Sequence, residues 1–116
     1  MRSPPRSSTS IPRAARSPVR PETLAGTFLQ DCDPEIQRQA VDRTARQSLA
    51  VLEQPVRSAA WQSVPSTYLV CARDQGTPAA LQREFARRAS SVVELDAGHH
   101  PFLSRPAAVR DLIAGL

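Results

Sequence analysis

Asp74 and His99 are the two residues of this chain whose types and positions could do chemistry together. A carboxylate that accepts a hydrogen bond from imidazole Nδ1 fixes the tautomer of the ring and leaves Nε2 free to take a proton. Other groups nearby have plainer readings. Asp96 could rival Asp74 as partner of His99, but it lies in the same turn as His99 and reads as a brace for that loop. His100 reads as a pocket wall rather than a second base. A metal site built from His99, His100 and Asp74 or Asp96 is disfavoured, because tandem histidines point their rings apart and no third ligand presents itself. Cys71 ends an apolar run and reads as core, and Cys32 as a packing residue; nothing in the sequence would stabilise a thiolate at either. Ser104 is the hydroxyl nearest in sequence to the base, yet no strand precedes it to form the strained turn that exposes a catalytic serine.

The elements that must position this pair lie between residues 66 and 116. Tyr68-Leu69-Val70-Cys71 is a continuous apolar run, the pattern of a parallel strand buried on both faces. Thr77-Pro78 opens a helix expected over about 78–89, with Leu81, Phe85 and Ala89 on its apolar face. Ser91–Leu95 reads as a second strand, and Pro106 starts a last helix with Val109, Leu112, Ile113 and Leu116 on its inner side. The order β-α-β-α implies parallel strands with a right-handed crossover. Asp74 then follows the first strand and His99 the second. Functional residues of open parallel sheets gather at that edge, and adjacent strands are about 4.8 Å apart.

Upstream, residues 1–21 are Pro, Ser and Arg and are expected to be a disordered tail, for which an unrelated leader from a truncated or misplaced start is at least as good an origin as a targeting signal. Residues 22–62 are expected to form a helical, cap-like segment. Its main helix spans about 34–52, with Asp33 as N-cap and Pro34 in the first turn. A short helical turn is expected within 56–62. Residues 63–116 form the core part. All 15 basic residues are Arg, and five of them fall in the first twenty positions with no acid, while the remaining ten face eleven acids. The net charge of +4 therefore belongs to the tail. No basic stripe with interleaved aromatics is visible, so nucleic acid is not an expected partner. No apolar stretch approaches the roughly 20 residues of a membrane span, and a cytoplasmic location is the default expectation. Two cysteines do not make a disulfide scaffold.

The stretches TFLQDCDPEI, SVPSTYLVCARDQGTPAALQREFARRA and VVELDAGHHPFLSRPAAVRDLI carry a resemblance. Over about residues 23–116 the chain resembles the C-terminal half of α/β-hydrolases of the plant methylesterase and hydroxynitrile-lyase type and their actinobacterial relatives. The resemblance implies that Asp74 is the acid and His99 the base of a Ser-His-Asp triad, and that residues 23–62 belong to a cap over the substrate pocket. Two departures qualify it. The family carries its serine in a G-x-S-x-G elbow ahead of the acid, but the four glycines here, Gly26, Gly76, Gly98 and Gly115, cannot form one. His100 also stands where the similar lyases have Lys and the esterases Met, which argues against cyanohydrin chemistry.

The sequence therefore predicts an α/β fold. It is the C-terminal β-α-β-α part of an α/β-hydrolase with an incomplete parallel sheet, preceded by a helical cap segment. The expected function is that of a carboxylesterase-like fragment, inactive alone, with no cofactor. Its substrate would be a small-molecule ester if a missing N-terminal half completed the site. A non-enzymatic remnant or interaction protein of the same fold is the alternative, and an exposed strand edge would favour self-association.

Overall fold

The computed structural model describes residues 16–17 and 20–116. The tail expected at 1–21 thus lies largely outside the described residues. Where it is described it departs from expectation: strand β1 (Arg16–Ser17) pairs antiparallel with β2 (Gln47–Ser48), and helix α1 (Pro21–Thr23) runs on into a π-helical turn over Leu24–Phe28. Proline in the first turn of α1 needs no partner for a missing N–H and already has a helical φ.

Helix α2 (Pro34–Asp42) begins where the sequence predicts, with Pro34 in the first turn. Asp33 occupies the N-cap position without a side-chain cap bond; its backbone carbonyl accepts from Gln37 N–H at 3.0 Å. The single helix expected over 34–52 is not formed. Arg43 leaves the helical region, the Thr44 hydroxyl donates to the Val41 carbonyl at 2.7 Å, and the chain passes through β2 before α3 (Ala50–Glu53). A threonine hydroxyl that turns back on the preceding turn competes with helix propagation, and the apolar spacing alone did not register that. A 3-10 turn over Ala60–Gln62 follows.

The core unit matches the expected order. Strand β3 (Thr67–Cys71), helix α4 (Ala79–Ala86), strand β4 (Ser91–Leu95), the short helix α5 (Pro101–Ser104) and helix α6 (Pro106–Ala114) follow in sequence. β3 and β4 are parallel, with Thr67 opposite Ser91 and Cys71 opposite Leu95. α4 packs on β3, and α5 on α6. The face of α4 that does so is not the expected one. Gln82 and Ala86 are buried, whereas Leu81 and Phe85 are each 45% exposed. Positions 82 and 86 share one helix face, rotated by one residue from the stripe read in the sequence. Likewise Ile113 and Leu116, expected inside, are exposed, and only Val109 and Leu112 of that set are half-buried.

The apolar core is small. Among the described residues it consists of Leu29, Cys32, Val70, Cys71, Ala86 and Ala97, so both cysteines are buried and free. In β3 the run ends on Val70, fully buried, and Cys71, but Tyr68 and Leu69 are only half-buried. Val92 and Val93 of β4 face open surface. Among the described residues β3 and β4 pair only with each other, so each has an edge without a strand partner. No helix of the described residues is long and apolar enough to cross a membrane.

Candidate functional site

The loop after β3 carries Asp74 and the loop after β4 carries Ala97, Gly98 and His99. Parallel pairing places both loops at one edge, and the ladder continues beyond the strands through Ala72 N–H to the Leu95 carbonyl (2.9 Å) and Arg73 N–H to the Ala97 carbonyl (3.0 Å). His99 Nδ1 lies 2.8 Å from Asp74 Oδ2 and 3.0 Å from Oδ1. An ionised carboxylate can only accept, so Nδ1 is the donor of this contact, and in the neutral ring the lone pair then lies on Nε2.

Asp74 is held from several sides. Oδ1 accepts from the backbone N–H of Gly76 (2.8 Å) and of Thr77 (2.9 Å), and Oδ2 accepts from Gln82 Nε2 (3.1 Å). Burial alone would raise its pKa. The Thr77 amide, the His99 ring and the Gly76 amide outweigh that and hold the carboxyl below its usual range. The acid side chain is 4% exposed and that of His99 is 30% exposed, so the pair has one dry end and one open end.

Gln82 was not singled out in the sequence, where a glutamine in a helix counts as polar surface. It is 4% exposed. Its Oε1 accepts from Cys71 N–H at 2.8 Å, and its Nε2 reaches the carbonyls of Cys71 (3.2 Å) and Thr77 (2.7 Å) as well as Asp74. One amide therefore ties the end of β3, the turn before α4 and the acid together. The only signal available was its place four residues before Ala86 on an otherwise apolar face.

Residues 28–31 were likewise missed as site residues. The Phe28 ring meets His99 edge-on at 4.8 Å, and Gly76 leaves it room: a Cβ there would come within 2.4 Å of the ring. Gln30 Nε2 donates to the Arg73 carbonyl (2.7 Å), and Asp31 Oδ2 accepts from Gly98 N–H (2.6 Å). The upstream segment thus grips both loops, across long separations that no local pattern encodes.

Asp96 pairs with Arg73 at the exposed rim, a brace between the two loops where the sequence suggested a brace within its own. His100 stacks edge-on with both His99 (4.8 Å) and Phe102 (5.3 Å). Burial first, and the neighbouring His99 second, push its pKa down. Burial also raises the thiols of Cys71 and Cys32, with nearby carboxylates adding to it, so neither is prepared as a thiolate. The Ser104 hydroxyl is buried at the end of α5, and no described non-glycine residue has positive φ, so nothing resembles a strained serine turn. A cavity of about 440 Å³ lined by Trp61, Thr67, Tyr68, Phe85 and Arg88 opens at the start of β3, the end opposite Asp74 and His99.

Comparison with known proteins follows the same lines. A family profile described as "Alpha/beta hydrolase family" matches residues 1–112. The protein named alpha/beta hydrolase nvfD, from Aspergillus novofumigatus (strain IBT 16806), is 33% identical over 85 residues, covering 71% of this chain and 34% of that protein. The crystal structure of polyneuridine aldehyde esterase matches with a TM-score of 0.73 at 24% identity, over 83% of this chain and 40% of that one. A histidine-to-alanine mutant of that esterase matches at the same TM-score and 23% identity. The chain therefore spans 34–40% of the length of these proteins.

Proposed function

The chain belongs to the alpha/beta hydrolase family, and from that premise we propose that Asp74 and His99 are the acid and base of a serine-type carboxylic ester hydrolase. The observation that carries the reading is the 2.8 Å contact of His99 Nδ1 with a carboxylate already fixed by other donors, at the shared end of two parallel strands. In the proposed reaction His99 Nε2 takes the proton of a hydroxyl nucleophile as its oxygen attacks the ester carbonyl. When the tetrahedral adduct collapses, the same nitrogen returns that proton to the departing alkoxide, and water then releases the acyl group by the same route. Asp74 stays ionised and stabilises the imidazolium. The 116 residues contain no G-x-S-x-G; the reading therefore assigns the nucleophile to a segment outside them, and this chain alone is proposed to be inactive on ordinary esters.

The test uses the 116-residue chain with an activated nitrophenyl ester and an unactivated alkyl ester. The activated ester is expected to turn over slowly through the open Nε2 of His99, a rate lost in His99→Ala and retained in His100→Ala. The unactivated ester is expected to show no saturable turnover. An activated-ester rate unchanged by His99→Ala would sink the base assignment, and saturable alkyl-ester turnover would sink the claim of inactivity.

A second reading, an interaction protein with this fold, draws support from the apolar surface. Leu81, Phe85, Val92, Phe102 and Ile113 are each at least 45% exposed, against a core of six small or medium residues. Such a surface is expected to bind a hydrophobic dye and to self-associate. Concentration-dependent elution in size-exclusion chromatography checks this; a dye-silent monomer with a sharp, high-temperature melt would contradict it.

A further inference from the structure

We infer that Asp31 is a positioning residue for His99, acting through the backbone amide of Gly98; the inference rests on reading Asp74 and His99 as an acid–base pair. Three observations converge on it. First, one oxygen of the Asp31 carboxylate accepts from Gly98 N–H at 2.6 Å while the other, Oδ1, is buried with no partner among the described residues. A buried carboxylate oxygen without a partner is costly, so the single bond to Gly98 is what the group is held in place to make. Second, Gly98 is a glycine for space and not for conformation. No glycine has positive φ, yet a Cβ at Gly98 would lie 2.5 Å from Asp31 Oδ1 and 3.0 Å from its Cγ. Any other residue at that position would push the carboxylate and the loop apart. Third, the neighbours of Asp31 act on the same assembly. Gln30 holds the carbonyl of Arg73, the residue before the acid, and Phe28 lies against the ring of the base.

The geometry gives Asp31 a function distinct from that of Asp74. Asp74 sets the ring tautomer by direct contact, whereas Asp31 never touches the imidazole and fixes the height of the backbone from which it hangs. A ring displaced by a fraction of an ångström loses alignment with the carboxylate, and hydrogen bonds weaken steeply as they bend.

The readout is the downfield proton resonance of the His99 Nδ1–H···Asp74 bond, assigned by its loss in His99→Ala and followed in the intact 116-residue chain. In wild type the resonance is expected; its absence would overturn the pair itself, and the role of Asp31 with it. Asp31→Ala is expected to lose the resonance while the far-ultraviolet dichroism is kept. Asp31→Asn, whose amide oxygen can still accept from Gly98, is expected to restore it. A wild-type resonance that persists in Asp31→Ala would overturn the positioning role and leave the pair standing, as would an Asp31→Asn variant no better than alanine. Gly98→Ala supplies the second line, for the case in which Asp31→Ala does not fold. Alone it is expected to lose the resonance, and in the Asp31→Asn background to lose it equally, since the clash is with a side chain of the same shape. Retention of the signal in Gly98→Ala would refute the contact.

Discussion

Gln82→Leu is expected to abolish the cooperative unfolding transition of this chain at room temperature. Leucine fills much of the volume but removes every polar contact the amide makes. The Cys71 N–H, the carbonyls of Cys71 and Thr77 and one oxygen of Asp74 would lose a partner at a site that is 4% exposed. The Cys71 carbonyl keeps the Asp74 N–H and Asp74 Oδ2 keeps His99 Nδ1, so the Cys71 N–H and the Thr77 carbonyl are the groups left unsatisfied, at about 1–3 kcal/mol each and about 2–6 kcal/mol together. Small domains hold only about 5–15 kcal/mol in all, and a core of six residues among those described places this one at the low end. Urea unfolding followed by circular dichroism measures it, and a change below about 1 kcal/mol would show that the amide network adds nothing to stability. Gln82→Glu is a harder test of the same geometry. It keeps the acceptor for Cys71 N–H but sets a second carboxylate beside Asp74, and like charges at that range resist joint ionisation.

Asp74→Asn is expected to cost about 2–3 kcal/mol near neutral pH, because the amide nitrogen must face one of the donors that now point at carboxylate oxygen. The same substitution is expected to change how stability responds to acid. The Asp74 carboxyl is held below its usual range in the folded chain, so the unfolded state binds its proton first as pH falls. Its contribution is therefore complete above the unfolded value of about 4 and is lost as pH drops through the lower, folded value. Glu35 and Glu94 are also lowered, by their hydrogen bonds to Arg38 and Arg83, but those pairs are exposed and salt should screen them. In high salt the acid sensitivity that remains below about pH 4 is assigned to Asp74. Parallel pH–stability curves for wild type and Asp74→Asn check this. Curves of identical slope would mean that the carboxylate is not held ionised by the fold.

What could be read in the sequence, and what could not, divides by range. The bounds of β4 at Ser91–Leu95, the parallel pairing of β3 and β4 and the shared edge of Asp74 and His99 follow from short apolar runs punctuated by Gly and Pro. The break of the helix after Asp42 was hidden, because Ala45, Ser48, Leu49 and Leu52 continue a helical spacing that the chain does not use. The buried face of α4 was misjudged because Leu81 and Phe85 outweigh Gln82 in apolar content, while the backbone polar groups at the end of β3 favour an amide over an alkyl chain. Asp31 and Gln30 were invisible as site residues. Their partners lie 67 and 43 positions away, and neither residue type announces a contact with a backbone group.

Those separations also order events in time. Thr67 meets Ser91 across 24 positions, whereas Asp31 reaches Gly98 across 67. By loop-closure entropy the longer link starts at a disadvantage of about 1 kcal/mol, and it has no ladder of backbone bonds to offset that. The β-α-β unit would then condense while the grip of residues 28–31 is still open, and the imidazole would reach its place against Phe28 only in the last step of folding. Thermal fluctuation runs the same path backwards. On this account the grip is expected to let go before the strands beneath it separate, so the amide of Gly98 is expected to exchange ahead of those of β3 and β4.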